Sequence, residues 1–219
     1  MKLLHIAIDG PAGAGKSTIA RILAKKLDIN YLDTGAMYRA VTYHVLFNHI
    51  DIHDYICIIN ETKRIAIDFI NNEIFLNGKN INQEIRSIEV NNHVSSISAI
   101  PEVREILVSK QQEIAMDKSV VMDGRDIATV VLPFANFKFY LDASIEVRVK
   151  RRFIESMNKG IFCNMDQLKK DMSARDNMDQ KRKVSPLKKS QDAIVIDTSN
   201  QSVEDITNKM VDIIHHKED

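Results

Sequence analysis

The run Gly10-Pro11-Ala12-Gly13-Ala14-Gly15-Lys16-Ser17 constrains this chain more than any other stretch. It meets G-x-x-x-x-G-K-[ST] at every fixed position. An apolar run before it, Leu3 to Ile8, reads as a buried strand. The residues after it, Gly15 to Leu27, put Ile19, Ile22, Leu23 and Leu27 on one helical face. Glycines at these places let the backbone turn its N–H groups inward, and a helix start adds the positive end of a dipole, so the loop forms a cradle for phosphate oxygens. Lys16 then offers a point charge to the β- and γ-phosphates of a nucleoside triphosphate, and the Ser17 hydroxyl a ligand to its Mg²⁺. The expected ATP-binding element is Asp9, Gly10, Pro11, Ala12, Gly13, Ala14, Gly15, Lys16, Ser17 and Thr18. The plainer alternative is a glycine-rich turn that caps a helix, which leaves Lys16 and Ser17 without a purpose.

Beyond the loop the chain alternates strand and helix. Ile29 to Leu32 reads as a second strand and Gly35 to Phe47 as a helix. Val120 to Met122 ends at Asp123, Phe137 to Leu141 at Asp142, and Ala193 to Ile196 at Asp197. One helix opens with Pro101 in its first turn, where the missing N–H costs nothing. Such alternation predicts an α/β protein with a parallel sheet covered by helices on both faces. Two stretches break the rhythm. Arg64 to Ile81 reads as a hairpin turning at Asn71-Asn72 and again at Asn77-Gly78, part of a small antiparallel insert reaching about Ser98. Ser156 to Val184 is dense in charge, with Arg175, Lys181, Arg182 and Lys183, and reads either as a solvated helical surface or as a mobile cover over phosphates.

Composition excludes several classes. Lys plus Arg and Asp plus Glu both number 30, so no broad basic field exists to hold long nucleic acid or an anionic membrane. Any anion site must be local. Tryptophan is absent, so the core rests on Ile, Val, Leu and Met. Cys57 and Cys163 lie far apart and form no CxxC, which argues against a disulfide framework or a zinc site. The opening residues lack a basic segment followed by a long apolar stretch and a cleavage site, and no apolar run approaches the ~20 residues of a membrane span. A cytoplasmic protein is expected, and a monomer, since no long apolar stripe stands out.

A GTPase would carry Asn-Lys-x-Asp to read guanine. The nearest string, Asn208-Lys209-Met210-Val211-Asp212, has one residue too many and falls in an expected C-terminal amphipathic helix. The second strand leads instead into Asp33-Thr34-Gly35-Ala36-Met37-Tyr38-Arg39. Later come Glu84-Ile85-Arg86, Pro101-Glu102-Val103-Arg104, and Asp123-Gly124-Arg125-Asp126 followed by Ile127-Ala128-Thr129-Val130-Val131. Last is the stretch from Arg175-Asp176 to Arg182, leading into Ser185-Pro186-Leu187. In this order, over nearly the whole chain, these motifs resemble bacterial cytidylate kinases. Ala128 departs from the family's glycine and puts the local turn in question.

The resemblance implies a nucleoside monophosphate kinase of the phosphate-loop type, with five parallel strands flanked by helices on both faces. It implies an enlarged monophosphate-binding insert at 61–99 and a helical lid at 156–184, the core being 1–60, 100–155 and 185–219. It also implies transfer of the γ-phosphoryl group of ATP to CMP or dCMP, with Mg²⁺. The acceptor is a phosphate oxygen whose second pKa is about 6, so it is largely anionic near neutrality and needs no strong base. The difficulty is joining two polyanions and stabilising charge on the group in flight, which calls for arginines and a cation. By resemblance, Arg39 and Arg125 clamp the acceptor phosphate. Asp179 with Arg175 meets the ribose, Arg182 is a lid arginine, and Ser95, Arg104 and Asp126 read the base. Thr34 joins the CMP-binding set, and Lys16, Arg125, Arg175 and Arg182 are the catalytic set. Arg148, Arg151 and Arg152 share a region by helical spacing, and at least one is expected on ATP phosphates. Asp123, at a strand end, is either an outer-shell Mg²⁺ carboxylate or a turn cap. A kinase for UMP, AMP or shikimate, a nucleotide switch without turnover, and an RNA-binding protein remain as rival readings. The Asp33–Arg39 motif, the lid arginines and the zero net charge argue against them in that order.

Overall fold

The computed structural model describes residues 3–70, 72–158 and 160–216. In chain order the first elements are β1 (His5–Asp9), α1 (Lys16–Lys26), β2 (Asn30–Asp33), α2 (Thr34–Phe47) and α3 (Tyr55–Arg64). Then come β3 (Ile67–Ile70), β4 (Glu73–Leu76), β5 (Lys79–Asn80), a 3₁₀ turn (Glu84–Arg86), α4 (Ile88–Ser98) and α5 (Pro101–Met116). The rest are β6 (Val120–Gly124), a π-turn (Ile127–Val131), β7 (Phe137–Asp142), α6 (Ile145–Asn158), α7 (Met165–Lys181), β8 (Ile194–Asp197) and α8 (Val203–His215). The chain divides into two compact units, Met1–Tyr31 with Lys118–Asp219, and Leu32–Asp117.

The first unit is built on a five-stranded sheet in the order β2-β6-β1-β7-β8. β1 runs parallel to both of its neighbours, pairing Ile8 with Asp123 of β6 and with Phe139 of β7, and β7 runs parallel to β8. Successive side chains on a strand point to opposite faces, so Ile6 and Ile8 share a face. There they pack with Phe137, Phe139 and Leu141, with Ile19 and Leu23 of α1, and with Ile206, Met210 and Ile214 of α8. Because β1 is central and buried from Ile6 to Asp9, its carboxyl end is a fixed platform for the loop that follows, where ligands of open α/β sheets bind. α6 and α7 carry the charged stretch. Asn164 caps α7 by accepting the N–H groups of Asp166 and Gln167, and Met172, Asp176 and Asp179 form its buried face. Lys159, within the expected lid, lies outside the described residues.

The second unit has its own core, where Met37, Ala40 and Val41 of α2 meet Ile67, Ile74 and Leu76 of the hairpin and Val103 and Leu107 of α5. β3, β4 and β5 form a separate antiparallel sheet. Of the expected Asn71-Asn72 turn, Asn71 lies outside the described residues and Asn72 adopts φ 63. The antiparallel part stops at Asn80, short of the extent to Ser98 that the sequence suggested. The physical reason is Ser87, whose side chain accepts the Val90 N–H and starts a helix in its place. α3 was not anticipated; Asp54 starts it by accepting the Cys57 N–H.

Candidate active site

The loop between β1 and α1 is shaped by close backbone approach. Gly10 has φ 148, and a Cβ there would lie 2.0 Å from the carbonyl oxygen of Leu141 on β7. At Gly13, with φ 77, a Cβ would meet Met172 of α7 at 2.9 Å and Arg148 of α6 at 3.1 Å. Lys16 is buried, and its ammonium donates to the Pro11 carbonyl at 2.8 Å. Burial pushes its pKa down to about 7, the positive charge of Arg125 and then Arg175 adds to that, and Asp123 and Asp9 oppose it. The Ser17 hydroxyl donates to one oxygen of Asp123 at 2.8 Å, and the Tyr31 hydroxyl to the other, also at 2.8 Å. Asp123 is therefore a partner of the loop through Ser17.

Asp9, the first residue of the expected ATP element, commits both carboxylate oxygens to protein. It accepts the N–H groups of Ile127 and Ala128 at 2.8 Å each. Burial raises its pKa to about 7 against these two hydrogen bonds. Ala128 lies in the Ile127–Val131 turn and is not among the residues of positive φ, so no glycine is needed where the sequence departs from the family.

Beyond β6, charges alternate in a connected set. Arg125 donates to Asp179 of α7 at 2.8 Å, Arg182 pairs with Asp126 at 3.3 Å, and Arg182 also approaches Asp179 at 3.8 Å. Burial opposes ionisation of Asp179, but Arg125, Arg175 and Arg182 together hold its carboxyl below the usual range. Burial likewise opposes the charge on Arg125, and Asp179, Asp176 and Asp123 outweigh it. Arg125, Arg175, Asp126, Asp179 and Arg182 are thus brought together, with Arg125 and Arg175 near enough to act on Lys16.

The three arginines of α6 have separate partners. Arg148 donates to Asp176 at 2.5 Å and to the carbonyls of Ala12 and Ala143 at 3.0 Å, while Asp176 accepts the Ala12 N–H at 3.2 Å. Arg151 donates to the hydroxyl and carbonyl of Thr198, whose hydroxyl lies on the Ala14 carbonyl at 3.1 Å. Arg152 pairs with Glu155 at the surface.

In the second unit, Thr34 is the buried first residue of α2, behind Asp33, which accepts the Ala36 N–H. Arg39 of α2 donates to Asn91 of α4 at 3.3 Å. Arg104 is almost fully buried, lies 5.0 Å from the centroid of the Tyr38 ring and donates to the Ser98 carbonyl at 3.1 Å. Ser95, half-buried on α4, accepts the Ser98 hydroxyl on its carbonyl.

Sequence reasoning missed Tyr31, Thr198, Asn91 and Asp176. The last had a signal, since Met172, Asp176 and Asp179 fall on one helical face. Tyr31 and Thr198 had none, because their partners are remote in sequence.

Serine hydroxyl and carboxylate oxygens form a hard donor set that suits Mg²⁺. Among the described residues no group of three or more His, Cys, Asp or Glu is arranged to hold a metal. Nor, among them, is any helix long and apolar enough to cross a membrane.

Among solved structures, the chain resembles an uncharacterised protein from Eubacterium ventriosum, with a TM-score of 0.57 at 13% identity, over 98% of this chain and 99% of that one. It also resembles shikimate kinase from Bacteroides thetaiotaomicron, with a TM-score of 0.52 at 13% identity and the same coverage. At such identity these show the fold alone, a parallel sheet with flanking helices. Sequence relatives are much nearer. Cytidylate kinase of Alkaliphilus oremlandii is 51% identical over 98% of this chain and 99% of its own length. That of Clostridium botulinum strain Okra is 51% identical over 96% and 97%, and that of Listeria innocua 48% over 99% and 98%. The family model for cytidylate kinase matches residues 6–216. With the family model and relatives covering nearly the whole chain, this chain belongs to the cytidylate kinase family.

Proposed function

We propose that this chain transfers the γ-phosphoryl group of ATP to CMP and dCMP, forming ADP with CDP or dCDP. The observation that carries this reading is the gathering of cations on the phosphate loop. Burial first, and then the charges of Arg125 and Arg175, depress the pKa of Lys16, and a bound polyanion relieves the charge repulsion among the three. ATP and an acceptor phosphate are such polyanions.

In this reading the Asp9–Thr18 segment holds ATP, Asp9 through its backbone. Lys16, Arg125, Arg175 and Arg182 stabilise charge on the phosphoryl group as it moves. Thr34, Arg39, Ser95, Arg104, Arg125, Asp126, Arg175, Asp179 and Arg182 bind CMP, with residues 61–99 as the monophosphate insert and 156–184 as the lid. Mg²⁺ arriving with ATP would be held by the Ser17 hydroxyl with Asp123 behind it, and neutralises phosphate charge when bound. The acceptor oxygen is already anionic near neutrality, so no side chain has to remove a proton from it. The enzyme works in the cytoplasm, as a monomer, on free nucleotides.

Base choice follows from hydrogen-bond polarity. Cytosine offers an amino donor at C4 and an acceptor at N3, and uracil reverses both. A carboxylate at Asp126 accepts from the amino group, and a donor at Arg104 suits N3 or O2. Uracil leaves these groups mismatched. A coupled assay with ATP and CMP, dCMP, UMP or AMP should give kcat/KM for CMP at least ~10-fold above UMP, the ratio that one lost polar contact of ~1.4 kcal/mol produces. Equal use of CMP and UMP would overturn the assignment of Asp126 and Arg104. No turnover of any monophosphate would overturn the kinase reading.

A further inference from the structure

The π-turn Ile127–Val131 begins with N–H groups that no carbonyl inside it can satisfy. Aspartate is among the strongest N-caps, and Asp126 stands in the cap position. Yet its side chain makes no capping bond and lies 3.3 Å from Arg182. The cap comes from elsewhere in the sheet. Asp9, at the end of β1, is paired in register with Gly124 of β6. From there its two oxygens take the Ile127 and Ala128 N–H groups, one each, at 2.8 Å. Asp9 is 1% exposed, so its carboxylate has no competing water to serve.

We infer that Asp9 is a positioning residue for base selection: by capping the Ile127–Val131 turn from another strand, it keeps Asp126 from folding back as that turn's own cap and leaves its carboxylate to read the nucleobase. Asp9 thereby ties the residue that opens the ATP loop to the loop that carries Arg125 and Asp126. This inference rests on the reading of Asp126 proposed above.

The test is Asp9→Asn, which keeps the shape but offers one acceptor oxygen and sets an amide N–H₂ against the second backbone N–H. The orphaned N–H then draws Asp126 back toward the cap, since leaving it unpaired in the interior is costly. The CMP:UMP ratio of kcat/KM should fall at least ~3-fold, a shift of about half the discrimination expected from one polar contact. In an Asp126→Asn background the same change should leave the ratio unaltered, because the two residues act through one another. A wild type that prefers CMP, with a ratio that Asp9→Asn does not move or that changes additively with Asp126→Asn, overturns this inference alone. A wild type without preference overturns the reading of Asp126 as well. Should the variant fail to fold, amide exchange in the wild-type protein decides. Slow exchange of the Ile127 and Ala128 N–H groups without nucleotide supports the cap, and fast exchange overturns it.

Discussion

Lys16 is held against the Pro11 carbonyl in a buried setting with two arginine charges nearby. Its charge destabilises the empty site and becomes useful when phosphates arrive. Lys16→Ala should therefore lower kcat/KM at least ~100-fold, as expected for one lost transition-state contact. Thermal unfolding should show a Tm equal to or above the parent's, because the penalty of the buried cation is gone. The same group links binding to pH. Its pKa of about 7 rises when phosphate oxygens surround it. The gain in ATP affinity is thus fully present below pH 7 and shrinks as pH climbs from there toward the raised value. Calorimetry at pH 8 in buffers of different ionisation enthalpy should register net proton uptake on ATP binding, and none would show that Lys16 is already charged in the free enzyme. The role of Lys16 was legible because a fixed motif surrounds it. Tyr31 was not, since the aspartate it orients lies in β6 and only sheet pairing brings the two strands close.

Among the elements, the end of β1 runs into Gly10, which lies hard against the Leu141 carbonyl of β7. Any side chain there would press on the Leu141 carbonyl, and neither strand of a close-packed parallel sheet can give way. Gly10→Ala should lower stability by about 1–3 kcal/mol, the range for overpacked sites, read as a reduced urea midpoint at unchanged slope. Strands of the parallel sheet were readable within a residue or two because each is a short apolar run that reaches an aspartate at or next to its end. Helices α3 and α4 escaped for a different reason. Both follow small polar caps, Asp54 and Ser87, inside Ile- and Asn-rich sequence whose local preference is ambiguous. Packing against the cores of α2 and α5 decided their state.

At the scale of the molecule, motif order along the chain was enough to assign the family, whereas the order of strands in the sheet was not readable. β1 lies between two strands that follow it by more than a hundred residues, a pairing set by burial rather than by any local signal. The connection between α6 and α7 carries Phe162, which is 91% exposed. Because the chain contains no tryptophan, Phe162→Trp would place a single indole fluorophore on the proposed lid without disturbing either core. In the free enzyme it should emit as a water-bathed indole. When a non-hydrolysable ATP analogue and CMP bind together, lid closure that excludes water should move the emission to shorter wavelength and shield it from iodide quenching. An unchanged spectrum at saturation would identify residues 156–184 as an ordinary solvated surface. The same fluorophore would time closure against turnover in a stopped-flow instrument.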